Sequence, residues 1–210
     1  MNWIPFAEER QARYERQRGE LDERALVRQG NVAYAAALGL LMAHGDDAPA
    51  WFRRASVHWR ESWDAGESRE AWGRPIGALK ASILAVDDAA ADELAHWTLT
   101  LGSATAESPI GRYAAALALL VLRRYPEARH VAGSLRKRDD FPRNVADALA
   151  TIAARDAVGY AEAVESVVAS FESREEYLED AAVADTALVL AALAEQRGLD
   201  GALPASPVLP

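Results

Sequence analysis

The segment Asp87-Asp88-Ala89-Ala90-Ala91-Asp92 is the strongest candidate for chemistry in this chain. Asp88 and Asp92 stand four residues apart, so on a helix they share one face. Paired carboxylates so placed can hold Mg²⁺ against a diphosphate. The competing reading is that Asp87 or Asp88 caps a helix whose first turn favours acidic residues. No two of the four histidines, His44, His58, His96 and His130, have the i, i+4 spacing of a helical zinc motif. There is no cysteine, which removes disulfides, thiolate metal sites and a cysteine nucleophile. No serine lies in a Gly-x-Ser-x-Gly elbow, and Gly73-Arg74-Pro75-Ile76-Gly77 lacks the lysine and preceding strand of a phosphate loop. The leading expectation is therefore a protein with no catalytic residue, no cofactor and no bound metal. Its rival is a metal-dependent helical enzyme acting on a diphosphate through Asp88 and Asp92, which would require further carboxylates facing those two across a cavity.

Residues suited to binding are more numerous. There are six tryptophans, and Trp51, Phe52, Ala55, Trp59 and Trp63 fall nearly on one helical stripe, with Arg53, Arg54 and Arg60 interleaved. Such a stripe packs its helix against the segment Leu21–His44. Alternatively Trp51, Trp59 and Trp63 grip a partner, or join two copies of the chain as a structural homodimer, since Trp and Arg dominate interface hot spots. The chain carries a net charge of −9, and from Asp156 onward eleven acids face only two arginines. Glu172, Glu175, Glu176, Glu179 and Asp180 concentrate this charge. They form either a solvated face or an electrostatic docking surface for a basic protein partner. A nucleic-acid partner is not expected, because the one basic stretch, Arg123–Arg143, is too small to reverse the balance.

Half of the residues are hydrophobic, carried mainly by Ala and Leu, as suits one all-helical domain of 210 residues with a substantial core. The 23 basic residues include only two lysines, Lys80 and Lys137; with so much alanine this reads as the codon bias of a GC-rich bacterial genome. Residues 1–23 alternate Arg with Glu and hold no apolar run, unlike a signal peptide. The longest apolar stretches, Ala33–Ala43 and Ala114–Leu122, are too short to span a bilayer. No membrane association is expected, and the cytoplasm is the default location.

Prolines punctuate the elements that must position these residues. Pro5, Pro49, Pro75, Pro109, Pro126 and Pro142 each stand near the start of an Ala/Leu-rich segment. Proline is accepted in a first helical turn, where its missing N–H was unpaired anyway. The spacing predicts helices over 6–18, 21–44, 49–65, 75–86, 89–101, 109–124, 126–138, 142–155, 157–172 and 181–197. Gly19 ends the first, a polar helix within residues 1–19. Gly66, Gly102 and Gly198 suit left-handed C-terminal caps. Ser108 precedes Pro109 as an N-cap, and Ser173-Arg174-Glu175-Glu176 matches a capping box. Segments 109–124 and 181–197 are apolar nearly all round, so both should be buried on several sides. The Pro-rich end, 199–210, keeps Leu199, Leu203, Val208 and Leu209, and is expected to dock as an extended tail.

Two pairs of segments repeat. Tyr125-Pro126-Glu127-Ala128 is echoed by Tyr160-Ala161-Glu162-Ala163, 35 residues on, and Ala116–Leu120 by Ala148–Ile152, 32 residues on. This period, with small-large alternation and an aromatic-x-Glu-Ala opening, resembles tetratricopeptide repeats over about residues 109–172. The resemblance implies a compact α-solenoid: a right-handed array of four antiparallel helical hairpins with a closing C-terminal helix. Asp87–Asp92 resembles the aspartate-rich motif of helical isoprenoid synthases with the spacing changed by one residue, and no second metal motif follows. Asp185-Thr186-Ala187-Leu188-Val189-Leu190, Arg197-Gly198-Leu199 and Ser206-Pro207 before the terminal Leu-Pro resemble the closing segment of bacterial immunity proteins of the immunity protein 49 type. That resemblance implies a protein that binds and neutralises a cognate toxin, and it supplies no catalytic residue. A scaffold of this kind is expected to have a stoichiometric partner and no buried polar cluster.

Overall fold

The computed structural model of the chain describes residues 1–17 and 21–210; Gly19 lies outside the described residues. Among them are ten α-helices and no strand: α1 Trp3–Glu15, α2 Glu23–Met42, α3 Ala48–Ala65, α4 Gly73–Leu84, α5 Asp88–Thr100, α6 Pro109–Val121, α7 Tyr125–Leu135, α8 Arg143–Ala154, α9 Ala157–Glu172 and α10 Asp185–Arg197. Pro5, Pro49, Pro75, Pro109 and Pro126 all fall in first turns, and Pro142 immediately precedes α8. Each helix from α1 to α9 packs against the next.

The connections reveal a regular unit. The helices α2, α4, α6 and α8 are each followed by one residue of positive φ: His44 at 54°, Val86 at 53°, Arg123 at 58° and Arg155 at 57°. In each case two backbone bonds close the turn, as from the Val86 N–H to Ile83 O and from the Asp87 N–H to Ser82 O. This is the Schellman closure, normally reserved for glycine. The hairpins α2–α3, α4–α5, α6–α7 and α8–α9 thus turn in one way, each on a residue with a side chain. The interval from Arg123 to Arg155 equals that between the echoed apolar strings of α6 and α8. Of the expected glycine caps, Gly102 and Gly198 have positive φ, whereas Gly66 is extended at −92°.

The aromatic stripe of α3 is core. The Trp59 ring lies between Gly30 of α2 and Gly77 of α4; a Cβ on either would stand 2.8 or 2.6 Å from it. The two glycines therefore let α2 and α4 close on one indole. Helix α6 is buried continuously from Tyr113 to Val121, as its all-round apolarity requires.

Helix α10 does not extend the row. After α9 the chain crosses back to α2, touches it through the short 3₁₀ turn Leu178–Asp180, and then lays α10 against α4, α8 and α9. The capping box at Ser173 starts no helix. Ser173 is the C-cap of α9, its hydroxyl donating to Ser170 O at 3.1 Å. Residues 181–184 are also not helical, so α10 begins at Asp185. The Ala184 N–H donates instead to Val208 O at 2.8 Å, and Val208 is buried. Among the described residues no helix is long and apolar enough to cross a membrane.

Candidate functional site

Where the crossing segment meets α2 and α4, the structure has a cleft of about 540 Å³. Its walls are Trp59, Trp72, Tyr34, Val27 and Ile76, and its lip carries Ile110 from the start of α6 and Leu178 from the 3₁₀ turn. The polar lining is held in place by its neighbours. Trp59 Nε1 donates to Asn31 Oδ1 at 3.1 Å, and Trp72 Nε1 to Glu70 Oε2 at 3.0 Å. Arg74 forms an ion pair with Glu23 and donates to Ser62 O at 2.7 Å.

The floor is a buried polar cluster. Lys80 of α4 reaches Asp185 Oδ2 at 2.5 Å and Thr186 Oγ1 at 3.0 Å, both on the first turn of α10. Tyr34 Oη donates to the same carboxylate at 2.9 Å. The Lys80 and Asp185 side chains are only 11% and 17% exposed. Burial pushes the Asp185 carboxyl upward, but the Lys80 charge and hydrogen bonds from Lys80, Tyr34 and the Thr186 backbone outweigh it, so the carboxyl is held below its ordinary value. Burial, followed by the Asp185 charge, drives the Tyr34 and Tyr113 phenols well above theirs. The Tyr113 hydroxyl is buried beside the same first turn of α10. This cluster overturns the expectation of a core free of buried polar groups. Its members come from α2, α4, α6 and α10, so no local pattern announces it. The one sequence signal is Lys80 itself, a lysine in an apolar helix of an arginine-rich chain.

The expected partner-binding residues divide into three groups. Trp51, Trp59 and Trp63 are buried, which withdraws them as an open protein-binding face or a homodimer interface. Trp51 packs edge-on to Tyr14 of α1, Trp59 against Tyr34 of α2, and Trp63 against Trp72 and Trp97; of the three, Trp59 alone lines the cleft. Glu179 and Asp180 are committed to α1: Glu179 pairs with Arg13 at 2.6 Å, its carbonyl accepts from Arg10 at 2.8 Å, and Asp180 lies 3.6 Å from Arg10. Glu172 accepts from the Ser206 hydroxyl at 2.6 Å. Glu175 and Glu176 are exposed and make no such contact. Reversing Glu172, Glu175, Glu176 and Glu179 together would therefore break internal contacts.

Asp88 and Asp92 line a separate cavity of about 860 Å³ with His96, two turns along the same face of α5. Across it stand Arg123 and, from α10, Glu195. Asp87 caps α5, accepting from the Ala90 N–H at 3.2 Å. Among the described residues no three acidic or histidine side chains converge to hold a metal ion. The chain matches no protein-family model, no curated protein and no solved structure.

Proposed function

We propose that this chain is a non-enzymatic protein-binding scaffold, a compact tetratricopeptide-like array of helical hairpins that docks a basic partner at the Trp59–Trp72 cleft. The observation that carries this reading is the composition of the cleft's lip. Ile110 and Leu178 are 41% and 46% exposed, and both stand over aromatic walls. An exposed aliphatic pair over an aromatic cleft suits an apolar anchor side chain, the usual centre of an interface. The cleft's cations, Lys80 and Arg74, are neutralised internally by Asp185 and Glu23. The uncommitted charge beside the two lip residues is acidic: Glu107 in the segment leading to Ile110, and Glu175 and Glu176 shortly before Leu178, while Arg28 and Arg69 flank the walls at Val27 and Glu70. An apolar lip flanked by acids fits a basic protein that presents an apolar side chain flanked by Arg or Lys.

The recurring left-handed turns of the four hairpins and the echo between α6–α7 and α8–α9 support the tetratricopeptide-like arrangement. Within this reading, a role as an immunity protein gives the partner a definite form, a basic toxin domain. The tail, residues 199–210, then serves as a clamp on the crossing segment through Val208. The test is quantitative binding of a partner captured from the native host. Leu178→Glu and Ile110→Glu should each weaken it at least tenfold with an unchanged melting temperature. Glu175→Lys with Glu176→Lys should slow association more than it speeds dissociation, as rim charges steer encounter. A partner indifferent to all four substitutions refutes the cleft as its dock.

A further inference from the structure

We propose that the outer face of the α6–α7 hairpin is an anion-binding site for a condensed or organic phosphate carrying two or more phosphoryl groups. A concavity of about 530 Å³ there is lined only by basic and small residues, in a chain of net charge −9. The register on α7 explains its shape. Gly133 and Ser134 form the floor. Arg129 and His130 stand one turn before them on α7, and Lys137 and Arg138 lie in the turn just past its C-terminal end. Arg112 closes the side from α6, anchored by its Nε donating to Ala106 O at 2.8 Å.

Three features point to a ligand. Arg129, His130 and Lys137 are exposed and have no partner among the described residues. Arg138 is held by Asp140, through bonds of 2.7 and 2.6 Å, which fixes one side of the concavity. Gly133 has no steric reason to be glycine. Its φ is not positive, and a Cβ would meet nothing within 4 Å. Gly133 stands in the last turn of α7, and its effect is to leave the floor of the concavity open between the basic residues that line it. Two or three guanidinium and ammonium groups around a small-residue floor match the dense charge of adjoining phosphoryl groups better than a single carboxylate. The site does not overlap the Trp59–Trp72 cleft and does not depend on its role.

Titration calorimetry of the full chain with inorganic pyrophosphate, in buffer of physiological ionic strength, tests the proposal. One saturable site is expected. Arg129→Ala with Lys137→Ala should raise its dissociation constant at least tenfold. Gly133→Leu should also abolish binding while leaving the melting temperature equal to or above that of the unaltered chain, separating a filled floor from a damaged fold. Three results overturn the proposal: no saturable heat, a response that sodium chloride of matched ionic strength reproduces, or affinity unchanged in these variants.

Discussion

At Val86 a β-branched side chain, 81% exposed, sits on left-handed backbone. Left-handed backbone costs an L-residue about 1–2 kcal/mol, and an exposed valine recovers little of that by packing. Val86→Gly is therefore expected to stabilise the chain by about 1 kcal/mol, read as a higher urea midpoint at constant slope. The polar floor behaves oppositely. Lys80→Met leaves Asp185 buried without its cation, and breaking such a pair costs about 3–5 kcal/mol. Lys80→Met with Asp185→Leu should cost less than the sum of the single changes in a double-mutant cycle. The Asp185 carboxyl is held below 3.8, so its contribution is present above that pH and lost as pH falls through the folded-state value. His58 adds a shift in a milder range. It lies 2.7 Å from Tyr14 Oη, and burial, against the pull of Glu61, holds its imidazole below 6.5. The unfolded chain then binds the proton more readily, so stability is kept above about pH 6.5 and declines below it. Melting curves between pH 7.5 and 5.5 should show a smaller decline for His58→Gln than for the unaltered chain.

At the scale of elements, the crossing segment between α9 and α10 carries the strain and the clasps. Glu179 and Asp180 are consecutive left-handed residues with φ of 51° and 61°, held by Arg10 and Arg13. Glu179→Lys places a third cation against those two arginines. Limited proteolysis should then cut within residues 176–184 faster than in the unaltered chain, while α6 stays protected. Deletion of residues 203–210 removes Val208 and the acceptor of the Ala184 N–H. Burial of one such side chain is worth about 1.5–3 kcal/mol, so thermal melting should shift downward measurably; a truncated chain melting with the full one would show the tail to be dispensable. Helix starts were legible because proline and aspartate caps act locally. The crossing segment was not. Ser173-Arg174-Glu175-Glu176 satisfies the local capping rule, but that rule needs an apolar run to follow, and Glu179 and Asp180 instead answer to arginines on α1. The left-handed turns were half legible for the same reason: glycine marks Gly102 and Gly198, while His44, Val86, Arg123 and Arg155 are set by hairpin geometry.

For the whole molecule, the all-helical class and the burial of α6 and α10 followed from apolar periodicity, and the stripe from Trp51 to Trp63 was readable as one helical face. The packing of that face on α2 was readable too, but the part played by α4 was not, because Gly30 and Gly77 admit the Trp59 ring only once α2 and α4 are brought together. The cleft depends on a longer reach still: Thr186 meets Lys80 from 106 residues away, a pairing fixed by where α10 lands. The proposed dock of a basic partner lies over Ile110 and Leu178. Photo-crosslinking from a benzophenone side chain tests it most directly, placed at position 178, at position 110, and at Val158, which is exposed on α9 outside the cleft. One basic protein is expected to be linked from 178 and 110 but not from 158, with yield falling as salt rises beyond about 0.15 M, where charges are already screened past about 8 Å. Equal linking from 158, or none from 178 and 110, would contradict it.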